Sequence, residues 1–339
     1  MAELNQKMIT LAQIGCGYWG PNLLRNFSAA PNCRVKYLVD SSPERRVFVA
    51  KNFPATTAVA DVQQVWADPE VAAVVIATPA GSHFSLAAEA LRAGKSIFVE
   101  KPLATTVAEV DQLDALARGR GLVVMAGHTF LYNSAVRYVK GLIDRGELGE
   151  LRYIYCQRLN LGRVRSDIDA LWNFAPHDVS IIQYWLDDAR PLAVHRHGMD
   201  FIQTGIDDVV FLGLSYPSKI IANIHVSWMD PQKTRKIVIV GSHKMVIYDD
   251  VAEDKILVYD KGVDVKAVLG QGMDFDRPPS VQFSYRTGDI LLPKINWVEP
   301  LRCEAEHFLD CVQAGKEPLS GNKHARGVVE ILERAAALR

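Results

Sequence analysis

The amino-acid sequence predicts an α/β protein in two parts. The first is an N-terminal doubly wound parallel sheet over residues 1–127; the second is a C-terminal α+β domain, residues 128–339, with a large, mostly antiparallel, open-faced sheet. Three observations carry this expectation. A chain of 339 residues exceeds the size at which one hydrophobic core keeps growing. From Met8 to Ala126, short apolar runs alternate with helical stretches. From Leu151 onward the texture changes to alternation with period two.

In order, the first part reads as strand MITLAQIG and a helix from Tyr18 to Ala29; VKYLVD and helix PERRVFVAKNF; VAAVVIATP and helix HFSLAAEALRAG; SIFVEKP and helix VAEVDQLDALARGRG; and LVVMAG. Apolar runs bounded by turn residues suit parallel strands covered on both faces, and repeated strand-helix units imply right-handed crossovers. In the second part a helix spans Ala135 to Arg145. The runs LRYIYCQRL, AVHRHGMDFIQTG, DVVFLGLSYPS, KIIANIHVSWMD, KTRKIVIVGSHKMVIYDD and DKILVYDKG then read as antiparallel strands with one wet face. A helix from Pro176 to Leu186 interrupts them, Val263 to Leu292 reads as an irregular excursion, and a closing helix runs from Pro300 to Gln313.

The 38 basic and 39 acidic side chains nearly cancel, which leaves no electrostatic footprint for nucleic acid or an anionic membrane. A small molecule is the expected partner. Five scattered cysteines without a CxxC pair suggest neither a disulfide framework nor a zinc site, and no metal is expected. No export signal or membrane-length apolar run is read, so a cytoplasmic protein is expected. The sheet's uncovered face predicts a homo-oligomer, dimer or tetramer.

The turn IGCGYWG places Gly15, Gly17 and Gly20 in a G-x-G-x-x-G pattern between a strand and a helix, with Tyr18 and Trp19 inside it. Such glycines let the backbone approach a pyrophosphate whose charge sits on the helix N-terminus. Asp40 closes the second strand 20 residues after Gly20, where a carboxylate can accept hydrogen bonds from a ribose. It would repel a 2′-phosphate, so NAD is favoured over NADP; Arg45 and Arg46 nearby leave that choice open. Thr78, Pro79 and His83 in IATPAGSH follow a strand end where a nicotinamide ribose would lie, with helix capping as the other reading of His83.

GCGYWG, ATPxxxH, EKPLA and a later PHD, in that order, resemble the Gfo/Idh/MocA family of oxidoreductases over essentially the whole chain. The resemblance implies a Rossmann domain followed by a sheet domain used for oligomerisation. It also implies that the EKP lysine, Lys101, and a histidine of the second domain, His177, face the reacting carbon of a sugar or cyclitol, with Glu100 and Pro102 shaping the turn. The chemistry agrees: oxidising a secondary alcohol moves a hydride to nicotinamide and a proton to a base. Which of the two is the base stays open. Pro176 suits a first helical turn, which would set His177 at a helix N-terminus and keep its imidazole neutral. Many family members carry aspartate four residues before this histidine; here Asn173 stands.

The string RLNLGRVRSDIDALWNFAPHD is similar to family members that act on UDP-N-acetylglucosamine or its uronate at C3. The resemblance implies a 3-keto nucleotide sugar, an aminotransferase that consumes it, and 3-amino sugars for lipid A or surface polysaccharide. Arg158, Arg163 and Arg165 could fork a diphosphate, or form a solvated strand face. Tyr132 and Asn133 are further candidates to face the sugar. Dehydrogenation of a free cyclitol or aldose, or a cofactor-sensing regulator without chemistry, are the competing expectations.

Overall fold

The computed structural model describes residues 8–162, 164–267 and 281–339. Its elements follow in chain order as β1 (Ile9–Ile14), α1 (Gly20–Ala29), β2 (Cys33–Val39), α2 (Pro43–Asn52), β3 (Thr57–Val59), α3 (Gln63–Ala67), β4 (Ala73–Ile76), α4 (His83–Arg92), β5 (Ser96–Glu100), α5 (Val107–Arg118) and β6 (Val124–Gly127). Then come α6 (Ser134–Asp144), β7 (Leu151–Leu159), α7 (Ala170–Trp185), β8 (Ala193–Met199), β9 (Val209–Ser215), β10 (Ile221–Ser227), β11 (Thr234–Gly241), β12 (Met245–Asp249), β13 (Ile256–Ala267), β14 (Val281–Leu291), α8 (Pro300–Ala314) and α9 (Asn322–Ala336).

The first sheet is parallel, with strand order β3-β2-β1-β4-β5-β6, the doubly wound arrangement expected. Alternate side chains of its central strands serve two cores. Leu11, Val75 and Phe98 pack with Leu23 and Phe27 of α1 and Phe308 of α8. On the opposite face Ile14, Val74, Ile76, Ile97 and Val99 pack with α4, α5 and Val329 of α9. Burial on both faces is why these strands read as continuous apolar runs rather than as alternation.

The second sheet has the order β14-β13-β12-β11-β7-β10-β9-β8. Only its β7–β10 pairing is parallel among the described strands. Ile154 and Cys156 of β7, Leu212 of β9 and Ile224 of β10 are buried, whereas Tyr153, Tyr155, Phe211 and Ile221 on the other face are exposed. The expected open face is present. All five cysteines are free thiols, and among the described residues no helix is long and apolar enough to cross a membrane.

Compact units do not follow a boundary at 127/128. One gathers residues 1–134, 172–188 and 297–339, so α7, α8 and α9 pack with the parallel sheet; the other gathers 135–171 and 189–296. Two segments also depart from expectation. The excursion expected over Val263 to Leu292 contains paired antiparallel strands, with Val263 opposite Tyr285 and Val258 opposite Leu291. Its Gly, Pro and Asp residues lie mainly within 268–280, outside the described residues, and this composition masked the alternation on either side. The helix expected to begin at Pro176 begins at Ala170, so Pro176 lies inside α7. There it omits one i→i−4 hydrogen bond, yet LWNFA before it is apolar enough to hold the preceding turns, with Leu171 and Ala175 fully buried.

Candidate active site

The glycine turn is built by close approach. Gly15 has φ +94°, and a Cβ there would lie 2.6 Å from the Ala77 carbonyl oxygen; a Cβ at Gly20 would lie 2.6 Å from the Gly15 oxygen. Gly17 faces open space, with nothing within 4 Å of a built Cβ. Gln13, fully buried, donates from Nε2 to the carbonyls of Gly15 and Gly20, both at 2.9 Å, and so closes the loop. Tyr18 projects into solvent. Asp40 ties β2 to this turn: Oδ2 accepts from the Cys16 amide at 2.7 Å and Oδ1 from the Ser42 amide at 2.8 Å. Each oxygen keeps a second lone pair for a ribose hydroxyl. Arg46 is engaged internally, donating to the carbonyls of Asp40 and Ser41, while Arg45 is exposed. The open space at Gly17, next to the N-terminus of α1, fits a dinucleotide.

Where β4 ends, Ser82 donates to the Thr78 hydroxyl at 2.8 Å, and Pro79 is exposed. His83 does not line this opening. It is 1% exposed, with Nδ1 2.7 Å from the Pro102 carbonyl and Nε2 2.8 Å from that of Thr78. The ring therefore ties the β4 turn to the EKP turn. Burial lowers its pKa against the raising effect of the two carbonyls.

At the end of β5 the Lys101 Nζ donates to the main-chain carbonyl of Asn173 at 2.7 Å. That bond brings the EKP lysine onto α7 one turn before His177, within a single compact unit. His177 belongs to the segment expected to form the second part, and within it residues 172–188 group with the parallel sheet. The helix-terminus argument for a neutral imidazole fails as well: His177 is the eighth residue of a 16-residue helix, far from the N-terminal dipole. Its ring packs edge-on against Phe130, centroids 5.1 Å apart. Glu100 receives the Lys101 amide at 3.2 Å and a hydrogen bond from the Trp19 side chain. Burial pushes its carboxyl up to about 7, opposed by Lys101.

The remaining candidates separate. Tyr132 is 1% exposed and directs its hydroxyl inward, 3.3 Å from Ser320 Oγ, so it packs the interior instead of facing a ligand; Asn133 is also buried. Arg158 is 4% exposed on β7, and Arg165 is paired fork to fork with Asp167. Arg163 lies outside the described residues. The two described arginines therefore do not present free guanidinium forks for a diphosphate. Sequence reasoning missed Gln13, whose signal was an amide inside an apolar strand next to the first glycine. It also missed the buried polar residues His128, Glu304 and His324, and the half-buried Thr129 that donates to Glu304.

Comparison with known proteins shows the family and the fold. Residues 9–128 match the model of the oxidoreductase family with an NAD-binding Rossmann fold (GFO/IDH/MocA), and residues 136–247 match the GFO/IDH/MocA C-terminal domain. An uncharacterised oxidoreductase of Escherichia coli K12, YdgJ, is 34% identical over 43% of this chain and 41% of its own length. The chain thus spans less than half of that relative. UDP-N-acetylglucosamine 3-dehydrogenase of Acidithiobacillus ferrooxidans is 26% identical over 94% of this chain and 96% of its own. A solved structure of that enzyme superposes with a TM-score of 0.80, at 22% identity, covering 98% of this chain and 97% of the other.

Proposed function

Because the chain belongs to the Gfo/Idh/MocA family of oxidoreductases, we propose that it oxidises the C3 hydroxyl of a UDP-linked N-acetyl sugar, UDP-N-acetylglucosamine or its uronate, to the 3-keto sugar. The observation that carries the activity is the bond from Lys101 to Asn173, which sets an amine and the helix bearing an imidazole together at the end of β5. Bound NAD supplies the hydride acceptor. Gly15, Gly17 and Gly20 hold its pyrophosphate, Asp40 its adenosine ribose, and Thr78 and Pro79 border its nicotinamide end. Lys101 orients the substrate hydroxyl, and His177, a half-buried imidazole, takes the proton. The full-length likeness to a UDP-N-acetylglucosamine 3-dehydrogenase supports the substrate class. The 3-keto product suits an aminotransferase, which would place the protein in 3-amino sugar synthesis for lipid A or surface polysaccharide in the cytoplasm. The exposed Tyr153, Tyr155, Phe211 and Ile221 support pairing of the second sheet with another copy.

A second reading, oxidation of a free cyclitol or aldose, is favoured by one observation: Arg158 is buried and Arg165 is neutralised by Asp167, so neither stands ready for a diphosphate. Purified protein with NAD should form NADH on addition of UDP-N-acetylglucosamine or its uronate, and Lys101→Ala should abolish the signal. Turnover with myo-inositol or glucose alone would select the second reading, and unchanged turnover in Lys101→Ala would remove both.

A further inference from the structure

Gln13 stands where an apolar side chain would be expected. It lies on β1, the strand between β2 and β4, and its neighbours Leu11, Ala12 and Ile14 are buried apolar residues. By alternation it shares a face with Leu11, which belongs to the same core as Leu23 and Phe27 of α1. The Gln13 side chain is fully buried, and its Oε1 meets no donor. A buried amide with an unsatisfied oxygen is destabilising, so packing alone does not account for this residue.

Its nitrogen does. The carbonyls of Gly15 and Gly20, at the two ends of the glycine turn, each lie 2.9 Å from Nε2. Both partners accept only, so the amide has one possible orientation, and its two N–H bonds serve one carbonyl each. The first amides of the turn are anchored to β2: Gly15 donates to the Val39 carbonyl at 2.8 Å, and Cys16 donates to Asp40 Oδ2 at 2.7 Å. Between these anchors the main-chain N–H groups of Gly17, Tyr18 and Trp19 meet no acceptor among the described residues, and all three residues are exposed. Consecutive main-chain N–H groups without partners, next to a helix N-terminus, attract an anion, whereas a carbonyl turned the same way repels it.

We propose that Gln13 is a positioning residue for the dinucleotide: its buried amide holds the Gly15 and Gly20 carbonyls away from the pyrophosphate, so that the turn offers its N–H groups to the phosphates. The cofactor then meets a turn already in place instead of having to order one, and its affinity gains by that difference. The inference rests on the dinucleotide site and not on the identity of the sugar.

Binding titrations of the purified full-length protein, by calorimetry for NAD and ADP-ribose and by NMR for adenosine, test the role. Gln13→Met, similar in length but without donors, should weaken NAD and ADP-ribose by about tenfold or more. Adenosine carries the ribose that Asp40 accepts but no pyrophosphate, and should bind within about twofold of its native affinity. Equal losses for adenosine and ADP-ribose would mean that the whole turn has become disordered, and no loss for either would mean that the amide only fills space; each result overturns the proposal. Gln13→Glu keeps the size of the side chain and decides the matter if Gln13→Met does not fold. As a carboxylate it donates nothing and faces two carbonyls, whereas protonated it donates to one of them. The affinity of Gln13→Glu for ADP-ribose should therefore rise several-fold, relative to the native chain, as pH falls from about 9 to about 6, and a ratio that does not change with pH would overturn the proposal. These titrations need no turnover: if no sugar reduces NAD, the functional reading fails while the role of Gln13 is still decided.

Discussion

Gly15 and Gly17 stand two positions apart in one turn and are glycine for different reasons. At Gly15 the backbone is left-handed and a side chain would collide with the Ala77 carbonyl at 2.6 Å, so Gly15→Ala should destabilise the folded protein by more than about 1 kcal/mol in a denaturant titration. At Gly17 nothing stands within 4 Å, so Gly17→Ala should leave the midpoint unchanged yet weaken NAD binding at least tenfold by calorimetry, because the methyl occupies the space a pyrophosphate needs. Equal loss of stability in the two variants would contradict this division. Asn173 poses a different question, since Lys101 uses its main-chain carbonyl and not its amide. Asn173→Asp should preserve that bond while adding a carboxylate one helical turn before His177. A carboxylate favours the imidazolium, so the base requires a higher pH to become neutral, and the acid limb of the activity profile should move upward. The residues legible in the sequence were those whose constraint is local. Gly15, Gly20, Asp40 and Lys101 are each fixed by a turn or a strand end within a few positions. Glu304 was not legible, because its partner Thr129 lies 175 positions away and nothing in the α8 sequence distinguishes it from a surface glutamate.

The elements were legible where periodicity and burial agree. Both sheets follow from it: continuous apolar runs give strands covered on two faces, and alternation gives the open face. Where composition overrode periodicity the reading failed. Pro176 suggested a helix start, but the helix already holds LWNFA before it; DKILVYDKG was read as a strand, and the Gly- and Pro-rich stretch after Val263 concealed only the end of β13 and the whole of β14. The segment NKHARGVVEILERAAAL repeats apolar positions at Val328, Val329, Leu332 and Ala335, all buried, yet the sequence reading stopped at the helix from Pro300 and did not include α9. What spacing does not contain is the return of α8 and α9 to the first sheet. Phe308 of α8 packs edge-on against Phe27 and Phe98, with centroids 6.1 and 5.7 Å away, at the centre of one core. Phe308→Ala should thus cost about 3–5 kcal/mol and lower the thermal midpoint of the NAD-binding unit itself, as followed by NAD-dependent shifts in melting. A loss below 1 kcal/mol would show that α8 only decorates the sheet.

On the scale of the whole molecule, the buried titratable groups make stability depend on pH with opposite signs. His128 has its pKa lowered, by burial above all, so the folded state holds it neutral. Below an unfolded value of about 6.5 the unfolded chain takes up a proton that the folded one refuses, and stability falls with acidification. Glu304 has its pKa raised, again by burial first. Below about 4.5 both states carry its proton and there is no linkage; above it the unfolded chain releases the proton while the folded one retains it, and stability declines as pH rises. Removing the carboxyl therefore has a pH signature that removing a packed side chain does not. The stability difference between Glu304→Gln and the native chain should shift in favour of the variant between pH 5 and pH 8, with a slope of up to about 1.4 kcal/mol per pH unit, and should flatten below pH 4.5. The measurement is a series of urea titrations of both proteins across that range. A difference independent of pH would mean that Glu304 is ionised in the folded state.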